Sequence, residues 1–183
     1  TNPASLPLPM NDFLRSEMLP YLYENMRETP YEMTPYVSWM NQNPGEGITM
    51  TMESARYSTG YSRVHHSYGF MTENHVYKSY PDRVLSVYHF MKVLAAFTSG
   101  NSNKIIQSRA NAIHEAIESN LYALDYEVDT TQYELFNFKG YESGIYKSPV
   151  TGLDRFGYDR TKSFEREIKY FTTFLPSEIV EKP

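Results

Sequence analysis

Apolar positions recur at helical spacing over residues 11–28, where Phe13, Leu14, Met18, Leu19, Leu22 and Met26 share a face behind a cap at Asn11 or Asp12. The pattern predicts an amphipathic surface helix that Pro20 kinks or delays. Three prolines in the first ten residues predict an extended lead-in before it. After it, Pro30, Pro35, Pro44, Gly45 and Gly47 break the chain, leaving a short strand candidate at 36–40 and a better one at 47–52, GITMTM. Residues 53–67 read as a turn-rich loop around Ser58-Thr59-Gly60. Residues 68–76 read as a buried strand in which Tyr68, Phe70 and Thr72 alternate with Gly69, Met71 and Glu73.

The strongest helical pattern follows Tyr80-Pro81-Asp82, with Val84, Leu85, Val87, Tyr88, Met91, Leu94 and Ala95 in step; Pro81 and Asp82 both suit a first turn. A Ser99-Gly100-Asn101 break separates it from a second helix over 103–119, which buries Ile105, Ile106, Ala110, Ile113 and Ile117. From Leu121 onward the character changes. Tyr, Phe, Thr and Val alternate in TQYELFNF and KYFTTF, with Gly, Pro, Asn and Asp at the breaks, so several β-strands are predicted. There is no internal repeat, low-complexity run or coiled-coil heptad.

Composition narrows the classes. A chain of 183 residues that is 40% hydrophobic can bury a core as one domain, or as one domain with a small appendage. A net charge of −5 with scattered Lys and Arg offers no broad basic surface, so nucleic acid is not an expected partner. With no cysteine there is no disulfide, no thiolate nucleophile and no Cys-based zinc site. No stretch approaches the roughly 20 apolar residues of a membrane span, and the opening TNPASLPLPM lacks the basic and apolar regions of a signal peptide.

The candidate chemistry centres on Glu73, a carboxylate at the carboxyl end of the predicted 68–76 strand, where open α/β sheets place their sites. The loop before that strand holds Arg56, Tyr57, Tyr61, Arg63, His65 and His66. From the residues alone, Glu73 reads first as a strand-end carboxylate paired with Lys78 or Arg83, the tyrosines as loop packing and the arginines as solvated surface.

Three segments in order carry a resemblance: the Arg56-Tyr57-Ser58-Thr59-Gly60-Tyr61 turn, the Met71-Thr72-Glu73-Asn74-His75 step, and the helix start Tyr80-Pro81-Asp82-Arg83-Val84. Over residues 1–97 the chain resembles the zinc carboxypeptidases of the carboxypeptidase A-like family, in particular the branch whose catalytic glutamate is followed within a residue or two by His. The resemblance implies a hydrolase that cleaves a carboxyl-terminal peptide or amide bond, with Glu73 as general base and then acid. It implies that Tyr57 or Tyr61 offers a phenol to a peptide or peptide-like substrate, and that Arg56 or Arg63 pairs with its carboxylate. Combined with the patterns above, the expected class is α/β. Residues 1–98 would form the carboxyl-terminal part of a carboxypeptidase-like mixed-sheet domain with flanking helices, 99–120 a helical connection and 121–183 a β-rich appendage.

The departures from the family are as definite. His65, His66, His75, His89 and His114 are followed three residues on by Tyr68, Gly69, Lys78, Lys92 and Ile117, so no His-x-x-Glu exists. The Asn-Arg carboxylate clamp is also missing. His65 and His66 are adjacent, and no histidine pair has the i, i+4 spacing that chelates from one helix, so no metal site is expected within this chain. His75, two positions after Glu73, is a candidate to orient it by a hydrogen bond. The first residue is Thr1, and Val180-Glu181-Lys182-Pro183 stops after a strand-like run. The expectation is a piece of a longer polypeptide whose upstream portion supplies the zinc ligands, inactive as a peptidase by itself. The family's habit of export implies a secreted or periplasmic protein.

Two alternatives come from other classes. Tyr122, Tyr126, Tyr133, Tyr141, Tyr146 and Tyr158 supply aromatic platforms for a non-catalytic peptide- or carbohydrate-binding module. In the other, the acidic chain packs on a partner domain and Glu73 is inert.

Overall fold

The computed structural model describes residues 3–36, 38–40 and 44–182. Thr1 and Asn2 of the predicted lead-in, Val37 of the predicted 36–40 strand, and Pro183 lie outside them. The lead-in is not extended: a 3-10 turn over Pro3–Ser5 runs into helix α1, Leu8–Phe13. Pro9 is accommodated there because the first turn of a helix has no internal partner for its N–H groups.

Helix α1 continues through a π turn at Leu14–Met18 into α2, Leu19–Arg27. The N–H of Leu19 bonds the carbonyl of Leu14, five residues back. Two features of the sequence call for that wide turn. Pro20 lacks an N–H and crowds the carbonyl four residues before it, so a loosened turn ahead of it relieves the clash. The buried row Met10, Leu14, Met18, Leu22 and Met26 also steps by four residues, and each member is at most 2% exposed. In an unbroken α-helix each four-residue step drifts by about 40°, while one extra residue in a turn takes back about 100°. The π turn therefore keeps Met10 and Met26 in one core.

That core is completed by α4, Tyr80–Gly100, and α5, Ser102–Glu118, which contribute Phe90, Phe97 and Ala112. Phe13 and Tyr21 meet Phe97 with ring centroids 5.9 and 5.1 Å apart. Ser79 caps α4, accepting the Asp82 N–H at 3.2 Å while its hydroxyl donates to the Asp82 carboxylate at 2.6 Å. The predicted loop at 53–67 contains a short helix instead, α3 at Ser58–Val64.

The strands form two sheets. Strands β1 (Ser38–Trp39), β2 (Ile48–Thr49), β5 (Asp154–Phe171) and β4 (Glu134–Lys147) lie in the order β1-β2-β5-β4, with β2 and β5 parallel and the other pairs antiparallel. Strands β3 (Leu121–Val128) and β6 (Phe174–Glu181) make a separate antiparallel pair. The fold is thus mixed helix and sheet with small open sheets. Ile48, Ile168 and Tyr170 bury a second, smaller core. The β2–β5 pairing, Ile48 with Tyr170 and Thr49 with Phe171, joins the β-rich third to the rest. The Arg15 guanidinium adds to that joint by donating to Glu134 Oε1 and to the Thr172 carbonyl, both at 3.3 Å.

Residues 67–75 are not a strand: they run as irregular chain without ladder partners. The alternation there reflects inward packing of Tyr68 and Phe70 on the helical core rather than membership of a sheet. Tyr68 shares a hydrogen bond with the Ser108 hydroxyl at 2.8 Å, and Phe70 meets Phe90 edge-on at 5.9 Å.

Candidate functional site

A cleft of about 320 Å³ opens where α2, the 31–36 segment, the chain leaving β2, α3, residues 70–74 and α4 converge. Its apolar lining includes Met26, Met33, Met50, Phe70 and Phe90, and its charged lining is Glu32, Glu53, Glu73 and Lys78. Glu32 is already engaged by Lys139 at 2.7 Å. Glu53 and Glu73 have no ion-pair or hydrogen-bond partner for their carboxylates among the described residues.

Glu73 stands exposed on this wall. The Lys78 and Arg83 side chains considered as partners do not pair with it: Lys78 lines the same cleft apart from it, and the Arg83 guanidinium lies 5.9 Å from the Tyr80 ring centroid. Nor does His75 orient it, since His75 Nδ1 accepts the Tyr77 N–H at 3.2 Å and the two rings lie 4.8 Å apart. What holds the segment is the next residue. The Ser86 hydroxyl, buried on α4, donates to Asn74 Oδ1 at 2.7 Å.

The other predicted residues lie apart from the cleft lining. Arg56 and Tyr57 are exposed in the turn before α3, and Tyr61 is exposed on it, its ring 4.3 Å from that of His65. Arg63 reaches the Met52 sulfur at 3.7 Å. Helix α3 instead presents Thr59 to the cleft, and sequence reasoning missed it. Thr59 is 8% exposed, and its hydroxyl is buried with no hydrogen-bond partner. The signal for it was Gly60 beside it. A Cβ at Gly60 would run into the Ser54 carbonyl and come within 2.7 Å of the Glu53 carbonyl, so only glycine lets α3 press this close to the chain leaving β2. That contact seats Thr59 and Glu53 on one cleft.

No group of three or more His, Asp or Glu that could hold a metal ion occurs among the described residues. Among the described residues no set of side chains fits a zinc centre. Chemically, the arrangement offers one exposed, unpaired carboxylate on an apolar-walled cleft, able to accept a proton from water or hold a cation. No helix among the described residues is long and apolar enough to cross a membrane. Comparison with protein-family models, curated proteins and solved structures finds no match to this chain.

Proposed function

We propose that this chain is the carboxyl-terminal part of a zinc carboxypeptidase-like hydrolase in which Glu73 is the general base. The observation that carries the reading is the position of Glu73: unpaired, exposed, and on the wall of the apolar cleft. In this reading Glu73 takes a proton from the water whose oxygen attacks the scissile carbonyl carbon. It returns that proton to the amine as the C–N bond breaks. This chain supplies the carboxylate and the cleft walls; the metal ligands belong to the upstream portion of the same polypeptide.

The surface of α4 supports a covering partner. Val84, Tyr88 and Met91 are 47%, 53% and 62% exposed on a helix that is apolar nearly all round, a composition suited to burial on both sides. The test is Glu73→Gln in the longer protein that carries the zinc ligands. Turnover of a carboxyl-terminal peptide substrate should fall by roughly 10² to 10⁴ with zinc content and fold retained. Unchanged turnover would refute the role.

A second reading, non-catalytic binding of peptide or carbohydrate, is favoured by one feature of the β4–β5 ribbon. Phe156 and Tyr158 stand 60% and 59% exposed with ring centroids 5.3 Å apart. Binding to the isolated chain that is abolished by Phe156→Ala and untouched by Glu73→Gln would select it.

A further inference from the structure

We infer that the β4–β5 ribbon docks on the β3–β6 pair of a second copy of this chain, so that copies join arm to sheet. Residues 160–162 of β5 have no partners in β4, and this irregularity sets off the distal ribbon as an arm. Its turn carries Val150, 89% exposed, and its paired residues divide into two unlike faces. Ile145 opposes Phe156 and Ser143 opposes Tyr158, so Ile145, Phe156 and Tyr158 share one face, and all three are exposed. The opposite face is covered from within: the Tyr146 ring lies 3.5 and 3.2 Å from where a Cβ would stand on Gly144 and Gly157. The arm is also basic. Residues 143–162 hold Lys147, Arg155, Arg160 and Lys162 against Asp154 and Asp159. Lys147 and Lys162 are paired within the ribbon and Arg160 lies 4.9 Å from the Tyr77 ring centroid, while Arg155 has no carboxylate partner among the described residues.

The β3–β6 pair is the complement of that arm. A sheet of only two strands is marginal in water unless something packs on it. One face has such packing: Tyr122 opposes Val180, and the Tyr122 hydroxyl donates to the Ala116 carbonyl of α5 at 3.2 Å. The pairs Leu121–Glu181 and Ala123–Ile179 lie on the other face, where Leu121 and Ile179 stand exposed. The two strands hold Asp125, Glu127, Glu178 and Glu181 and no lysine or arginine, and none of the four pairs with a basic side chain among the described residues. An apolar face bordered by unpaired carboxylates fits an apolar arm with an excess of cations, and repels an acidic one. The charge pattern selects a second copy as the occupant: a chain of net charge −5 concentrates its cations on one arm and leaves these carboxylates bare on one sheet. Each copy thus supplies both halves in equal number. Because arm and sheet are different patches, the contact is heterologous and propagates into a ring or a filament.

The experiment is sedimentation velocity of the whole 183-residue chain over a concentration series. The average mass should rise above that of one chain as concentration increases, and fall back in high salt. Ile145→Ser with Phe156→Ser, at exposed positions that leave the circular dichroism unchanged, should raise the dissociation constant at least ~10-fold. Arg155→Glu on the arm should weaken assembly, and so should Glu178→Lys with Glu181→Lys on the sheet. An equimolar mixture of those two charge variants should assemble again, since the reversed arm meets the reversed sheet; general destabilisation would not be rescued by mixing. Arm and sheet variants that assemble as the parent does, or a mixture that stays apart, overturn the inference. So does a chain that stays monomeric throughout; if that monomer then floats with phosphatidylglycerol vesicles, the arm's occupant is a lipid surface.

Discussion

Ser86 on α4 and Asn74 beside Glu73 are joined by a 2.7 Å hydrogen bond between their side chains. The Ser86 hydroxyl also lies 3.0 Å from the Arg83 carbonyl of its own helix, so one buried hydroxyl links the irregular 67–75 segment to the longest helix of the fold. Since that segment has no ladder to hold it, this bond and the packing of Tyr68 and Phe70 set where Glu73 stands.

Ser86→Ala should therefore loosen the Glu73 wall without dismantling the core. The loss of the bond should cost about 1 kcal/mol, read as a lower urea midpoint with unchanged slope. Amide exchange should quicken over residues 70–76 and stay unchanged at Leu22 and Phe90. A global rise in exchange would show that Ser86 serves the whole helical core and not this segment.

Gly60→Ala should be worse than an ordinary glycine substitution in a helix. Placing a methyl against the Ser54 and Glu53 carbonyls forces α3 away from the chain leaving β2, at a cost of about 1–3 kcal/mol. The same displacement should disturb the Met50 methyl signal at the cleft. Gly100→Ala, with open space around its Cβ, is the control and should be neutral or mildly stabilising.

Alkaline pH should weaken the fold from about pH 10 upward. Burial pushes the Tyr23 phenol up to about 12, and burial together with the nearby Tyr23 and Glu134 raises that of Tyr170 further. Both groups hold their protons in the folded state after the unfolded chain has begun to release them near its ordinary value of about 10. Between those values the folded state binds more protons, so stability falls as pH rises, by roughly 1.4 kcal/mol per pH unit for each proton of difference. Tyr23→Phe should flatten the fall in urea midpoint between pH 9 and 11. An equally steep fall in that variant would place the alkaline weakness elsewhere.

The helices were legible because their signals are local. The row over 11–28, the Pro81-Asp82 start and the Ser99-Gly100-Asn101 break match the structure within a few residues. The faces of the two later helices do not: Val84, Tyr88 and Met91 on α4 and Ile106, Ile113 and Ile117 on α5 stand exposed, while Ser86, Phe90 and Phe97, and Ser108 and Ala112, turn inward. The alternation after Leu121 likewise became β3 to β6. What failed depended on distant partners. Whether 68–76 is a strand is decided by a neighbouring strand, and the alternation of Tyr68 and Phe70 is equally served by packing on Phe13 and Phe90. The parallel register of Thr49 with Phe171, sealed by the Thr49 hydroxyl donating to the Phe171 carbonyl at 3.0 Å across 122 residues, has no local signature. Helix α3 was hidden by the poor helix formers Ser58, Thr59 and Gly60, whose small size is what its close packing needs. Glu73 was singled out from its motif, and it lies on the cleft wall. Glu53 and Thr59 were not, because only the approach of α3 to the chain leaving β2 brings them onto the same cleft.

The central claim is the proposal that Glu73, unpaired and exposed on the cleft wall, is the general base of a hydrolase. The most direct measurement is steady-state hydrolysis of a carboxyl-terminal peptide substrate by the longer protein that carries the zinc ligands, comparing Glu73→Gln with the unsubstituted protein. The account predicts that Glu73→Gln lowers kcat by roughly 10² to 10⁴ with little change in KM. Retention of full kcat in Glu73→Gln would contradict it.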